Sequence, residues 1–284
     1  MTTADPDSDV NWAALGREAA AALGETWRSL AEACHALAEQ EWALPTECPG
    51  WDVKDQLSHV IGVERSILGE PAPAWDGPLG DHVRNDFGRQ IEPWVAVRRA
   101  ESGDAVLAEF VQVTRARLAE LAQLDAAAWA RVGPSPVGEV PYARFMETRV
   151  FDCWVHEQDA RWALDRPGGS GGLASAFGLA QVQGAMPFVV GKKAAAPEGS
   201  VVHFEVGGPP GDARVFSIGV EGGRARPTAD GAPPTVALAL SSIDFVRLGC
   251  GRAAAGEVQA AGGIRLEGDA ALGQRILDSM NFMF

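Results

Sequence analysis

Arg149-Val-Phe-Asp-Cys-Trp-Val-His-Glu-Gln-Asp159 is the stretch on which the reading of this chain turns. Asp152 and His156 stand four residues apart in a segment of helical periodicity, so their side chains leave the same face. A carboxylate and an imidazole at that spacing can share one metal ion, as the two histidines of an HExxH helix do. Asp159 continues the stripe one turn further on. The same pair is also what an ordinary solvated helix face carries. Its neighbours weigh against that: Phe151, Trp154 and Val155 are bulky and apolar, leaving little of this helix to water. Buried charge requires a partner or a metal.

Outward from this stretch, a second helix carries Val53, Leu57, Val60, Ile61, Glu64 and Leu68 at helical spacing, with Asp52 as its cap and Asp55 in its first turn. His59 lies in its first half. It is either a third ligand or a boundary residue bonded to Asp55, one turn earlier. Helical patterns at 11–43 and 93–124 flank this segment, the latter with Pro93 at its first position, and the 149–159 stretch falls in a fourth, about 141–164. Breakers at Pro45–Gly50 and a long connection at 70–92 separate them. Four such helices predict a bundle, where ligands from different helices meet in the core. His59, Asp152 and His156 are then three ligands with a fourth position open, the arrangement of a catalytic zinc site. His35 reads as exposed or boundary, His82 belongs to the long loop near a site entrance, and His203 sits in a predicted strand.

Composition changes at Pro167-Gly-Gly-Ser-Gly-Gly172, which follows a helix and reads as a linker. A helix at 173–190 precedes alternating runs at 201–206, 215–220 and 235–240, with helical segments at 242–250 and 269–281. The expected fold class is α plus α+β: a helical domain over 1–166 and a small α+β domain over 173–284.

The net charge of −14 opposes binding to phosphate backbones and anionic lipids, so neither nucleic acid nor a membrane surface is an expected partner. No run of about 18 or more apolar residues appears, so no transmembrane helix is expected, and the start MTTADPDSDV lacks the basic, then apolar, order of a secretory signal. The expected compartment is the cytoplasm. Cys34, Cys48, Cys153 and Cys250 are far apart, form no CxxC pair, and read as small buried hydrophobes in a reducing compartment.

Trp42-Ala-Leu-Pro-Thr-Glu-Cys-Pro-Gly-Trp51-Asp-Val-Lys-Asp-Gln-Leu-Ser-His59 resembles the N-terminal signature of mycothiol-dependent maleylpyruvate isomerases, and Arg149 to His156 resembles that family's second metal segment. The resemblance covers nearly the whole chain. It implies a DinB-like four-helix bundle followed by a sterol-carrier-like domain. It also implies a divalent metal, usually zinc, held by His59, Asp152 and His156, with mycothiol as thiol cosubstrate and a small electrophile as substrate. The implied reaction is cis–trans isomerisation or S-transfer. One departure is visible: the family carries Glu where this chain has Asp152, one methylene shorter. Arg247, Arg252 and Arg265 are candidates for holding a substrate carboxylate. Two other readings stand beside the thiol enzyme: a non-catalytic lipid or small-molecule binder on the same fold, and hydrolysis by a metal-bound water.

Overall fold

The computed structural model describes residues 10–229 and 233–283, so the acidic first nine residues lie outside the described part. The chain divides into two compact units, one ending at Phe177 and one starting at Gly178.

The first unit is built on four helices: α1 (Trp12–Ala33), α3 (Val53–Ile67), α5 (Gly103–Leu121) and α7 (Tyr142–Ala163). Helix α1 lies along α7 and α5, and α3 packs against α5 and α7. The apolar stripe of α1, Ala19, Ala22, Leu23, Trp27, Leu30 and Ala33, is buried at the spacing its sequence predicts. The Asn11 side chain caps its N-terminus. Asp52 caps α3 by accepting from Asp55 N at 2.9 Å, and Ser102 caps α5.

The expected helix over 11–43 is two elements. It breaks where Ala36 adopts a positive φ of 55°, and resumes as the short α2 (Glu39–Trp42). The expected start at Pro93 is also corrected: α4 (Asp86–Ala96) begins seven residues earlier, where the Asn85 side chain accepts from Gly88 N at 2.7 Å. A break at 97–102 then separates α4 from α5. Before α7 come the one-turn α6 (Ala126–Ala130) and a hairpin of β1 (Val132–Ser135) and β2 (Gly138–Pro141), none of them expected.

Gly16 marks the closest approach in this unit. A Cβ there would lie 2.2 Å from the ring of buried Trp129. Alanine has the better helix propensity by about 1 kcal/mol, but overpacking costs about 1–3 kcal/mol. Gly16→Ala is therefore expected to destabilise the protein in a denaturant titration, and a stabilised variant would refute the packing argument.

Helix α8 (Leu173–Phe188) begins in the first unit, continues past Phe177 into the second, and runs into a π-helical turn at Val189–Lys193. Against the expectation of no such segment, Leu173–Lys193 is long and apolar enough to cross a membrane. Leu179, Val182, Met186 and Val189 on it are fully buried at helical spacing, as in a core helix. The sheet has the order β5-β4-β3-β6-β7, from β3 (Val201–Gly207), β4 (Arg214–Glu221), β5 (Arg224–Thr228), β6 (Val236–Ser241) and β7 (Ile264–Gly268). Only the β3–β6 pairing is parallel. Helices α9 (Ser242–Gly249), α10 (Ala255–Ala260) and α11 (Ala270–Asp278) complete the unit. Phe204 stacks on Phe216 with centroids 4.9 Å apart, and Phe245 meets both edge-on. Strands β5 and β7 are unexpected from the sequence: both are short, and Pro227 or exposed charges interrupt their apolar pattern.

Candidate metal centre

Helix α3 presents His59 and α7 presents Asp152 and His156, one turn apart, toward one spot in the first unit. His59 Nε2 lies 3.1 Å from Asp152 Oδ2, His156 Nε2 lies 3.7 Å from Asp152 Oδ1, and the two imidazole centroids are 4.4 Å apart. Ligand atoms at metal distances of about 2.0–2.2 Å in a tetrahedron sit about 3.3–3.6 Å from each other, close to this spacing. All three residues can thus offer an atom to one ion. His59 makes its contact with Asp152, while Asp55 pairs with Arg99 at 3.1 Å, so the Asp55 alternative is not the one adopted.

The residues around the three decide which atoms face inward. Gln56 is fully buried, and its Nε2 donates to Thr46 Oγ1 at 2.9 Å. Its Oε1 therefore accepts from His156 Nδ1 at 2.6 Å, which puts the proton on Nδ1 and turns the Nε2 lone pair toward Asp152. His59 lacks such an anchor: its Nδ1 is buried without a hydrogen-bond partner among the described residues. Trp51 packs on both rings instead, 5.1 Å from His59 and 5.6 Å from His156. Burial lowers the pKa of His59 to about 4, although Asp152 pulls the other way, so the ring is neutral at pH 7 and able to donate a lone pair. Asp152 is held well below the usual carboxylate range: burial raises it, and Arg149, His59 and His156 together outweigh that. Two imidazoles and one carboxylate, converging at metal spacing, form a donor set that fits a divalent cation.

A chain of buried ions lies behind Asp152. Arg149 donates to Asp152 and, at 2.8 Å, to Glu64 Oε1, while Glu64 Oε2 accepts from Arg117 at 3.0 Å. Arg117 ends the chain on Glu120 and Tyr142. The signal for this network was present in sequence, since Glu64 falls on the apolar stripe of α3 and Arg149 stands one turn before Asp152.

His82 reaches the same neighbourhood from the long loop. Its Nε2 lies 3.0 Å from Glu92 Oε2, which also accepts from Trp51 Nε1 at 3.2 Å. The ring fits against Gly50 and Gly80, where a Cβ would come within 2.4 and 2.5 Å of it. Gly50 also has a φ of 81°, which other residues adopt only under strain. His35 is exposed and His203 bonds Ser217 at 2.9 Å in the second unit; neither joins the centre. Cys34, Cys153 and Cys250 are buried as expected, whereas Cys48 is only half-buried. Burial pushes the thiols of Cys34 and Cys153 up to about 12. In the second unit, Arg247 pairs with Asp244 at 3.4 Å, Arg252 donates to the Cys250 carbonyl and Arg265 pairs with Glu205 at 2.9 Å.

Residues 23–161 match the family model of the mycothiol maleylpyruvate isomerase N-terminal domain. Residues 23–161 thus belong to the mycothiol maleylpyruvate isomerase N-terminal domain family. Residues 183–279 match the SCP-2 sterol transfer family, so the sheet-containing unit is sterol-carrier-like. A crystal structure of the mycothiol-dependent maleylpyruvate isomerase is similar over 94% of this chain and 96% of that one, with a TM-score of 0.54 at 17% identity. A histidine-to-alanine mutant of that enzyme matches over the same shares, with a TM-score of 0.50 and 17% identity. At this identity the likeness extends to the fold. No curated protein matches the chain by sequence. The order that the resemblance implies, helical bundle first and sterol-carrier-like unit second, is the order in which the two models match this chain.

Proposed function

We propose that this family member is a divalent-metal enzyme, with zinc as the ion, that activates a low-molecular-weight thiol of the mycothiol type. The thiol serves cis–trans isomerisation of a small electrophile or S-transfer to it. The observation that carries this reading is the convergence of His59, Asp152 and His156 on one spot, with Gln56 fixing the tautomer of His156.

An ion bound there supplies Lewis acidity that keeps a thiol ionised near pH 7, well below its free pKa of about 8.5. The chain's own residues prepare the place. Burial keeps His59 neutral, Arg149 keeps Asp152 ionised and oriented, and Trp51 shields both imidazoles from water. His82 and Glu92 tie the 70–85 loop beside Trp51, so this loop borders the space a substrate enters. Reversible addition of a thiolate across a cis double bond turns it into a single bond that rotates before elimination; with a leaving group present, the same attack ends in a thioether. The four free cysteines suit the cytoplasm, where small thiols stay reduced.

The test supplies the purified, metal-loaded protein with mycothiol and either maleylpyruvate or a chlorinated nitroarene. Conversion of either one that requires both protein and thiol is the expected result. Turnover without thiol would favour hydrolysis by a metal-bound water. Failure with both substrates, together with a lipid extracted from the purified protein, would favour the binding reading, which the sterol-carrier match of residues 183–279 supports.

A further inference from the structure

The two ring nitrogens of His156 face two different donor sets. Nε2 faces Asp152 and His59, the centre described above. Nδ1 faces the other way, 3.5 Å from Asp159 Oδ2 and 2.6 Å from Gln56 Oε1. On that side Cys48, His156 and Asp159 each bring a ligand atom within 4.8 Å of the others. We propose that Cys48, His156 and Asp159 form a second, thiophilic cation position that shares His156 with the first.

The chemistry of the donors selects the ion. A thiolate, an imidazole and a carboxylate are a set that zinc and cadmium accept, and that magnesium and calcium, which take oxygen, do not. Gln56 Oε1, already beside Nδ1, is a fourth donor within reach. One thiolate and one carboxylate carry two negative charges, which neutralise a divalent ion in a place where uncompensated charge is costly. Asp159 is fully buried and His156 nearly so, while Cys48 is half-buried, so the thiol forms the solvent side of the position.

The backbone prepares this arrangement. Cys48 sits in a turn closed by Trp51 N donating to the Cys48 carbonyl at 3.1 Å. Thr46 Oγ1 accepts from Cys48 N at 3.2 Å and from Gln56 Nε2 at 2.9 Å, which links the turn to α3. Asp159 is set one turn beyond His156 on α7.

Binding there displaces the proton of the Cys48 thiol to solvent and moves the proton of His156 from Nδ1 to Nε2. It also takes His156 from Gln56, the contact that orients the ring for the first position. Filling the second position therefore works against the first.

The test titrates cadmium alone into the full-length protein, into Cys48→Ser and into His59→Ala. It reads cadmium per chain by equilibrium dialysis and the sulfur-to-cadmium charge-transfer absorption in the ultraviolet. Wild type and His59→Ala are expected to show the sulfur band, and Cys48→Ser to lose it. The other three cysteines are buried and leave the band to Cys48. Absence of the band in folded wild type at saturating cadmium overturns the proposal, and so does a band that survives in Cys48→Ser. Because His59→Ala removes a donor of the first centre only, a band retained there supports the second position whatever the first one binds.

Discussion

His156→Ala is expected to leave the folded protein with little or no divalent metal, and wild type purified without chelator is expected to carry about one ion per chain. The residue does more than donate Nε2. Its ring lies 4.4 Å from that of His59 and 5.6 Å from Trp51, and its Nδ1–H anchors to Gln56. Removing it leaves one imidazole and a carboxylate already engaged by Arg149. Loss of a partner that merely orients a ligand costs about 10–100-fold in affinity or activity. Loss of the ligand itself should exceed that, so thiol-dependent turnover should fall at least about 100-fold. Elemental analysis reads the metal, and circular dichroism with a melting curve shows whether the bundle survives. Full metal content in a folded His156→Ala protein would sink the assignment of the centre.

The second large effect is expected from Glu64→Leu, on stability. Glu64 and Arg117 are fully buried, and Arg149 nearly so. Both oxygens of the one carboxylate are used: Oε1 accepts from Arg149 at 3.0 and 2.8 Å, and Oε2 accepts from Arg117 at 3.0 Å. Leucine leaves two guanidinium groups facing each other across an apolar side chain. Arg117 keeps Glu120 and Tyr142, and Arg149 keeps Asp152, so neither loses all its partners. Breaking a buried pair by removing one partner costs about 3–5 kcal/mol. At about 2–4 °C per kcal/mol for a unit of this size, the melting temperature should drop by about 6–20 °C. The triple replacement Arg117→Met, Glu64→Leu, Arg149→Met should recover part of the loss, because apolar groups of similar volume often match a buried ionic set in stability. A drop of less than about 1 kcal/mol, the worth of an exposed pair, would mean that the chain of ions carries no load. Since Arg149 also positions Asp152, the single variant should bind metal more weakly as well.

Much of this was legible along the chain because helical periodicity is a local property. The spacing of Asp152 and His156 follows from the 3.6-residue turn alone, and the buried stripes of α1 and α3 follow from it too. The bundle and the order of the two units could be read from four periodic segments and a change of pattern. The short elements could not. Helix α6, the β1–β2 hairpin and strands β5 and β7 have too few residues to set a period, and packing against neighbours holds them in place. The break between α4 and α5 was hidden because Pro93 suits both a helix start and, as here, a position within one.

By itself, the sequence determined that three potential ligands lie on two helices and that their face must be buried, since the residues flanking them are too apolar for water. It also carried the likeness to the mycothiol maleylpyruvate isomerase family, through two motifs on those helices. Only the tertiary structure decided which partner each group takes. That His59 meets Asp152 rather than Asp55, that Glu64 serves two arginines, and that His156 turns one nitrogen to Asp152 and the other to Gln56 and Asp159 all depend on contacts between residues far apart in the chain. The reason is physical: covalent geometry sets the direction of a side chain on its own helix, whereas the neighbours that desolvate it, charge it and fix its tautomer arrive only when the helices pack.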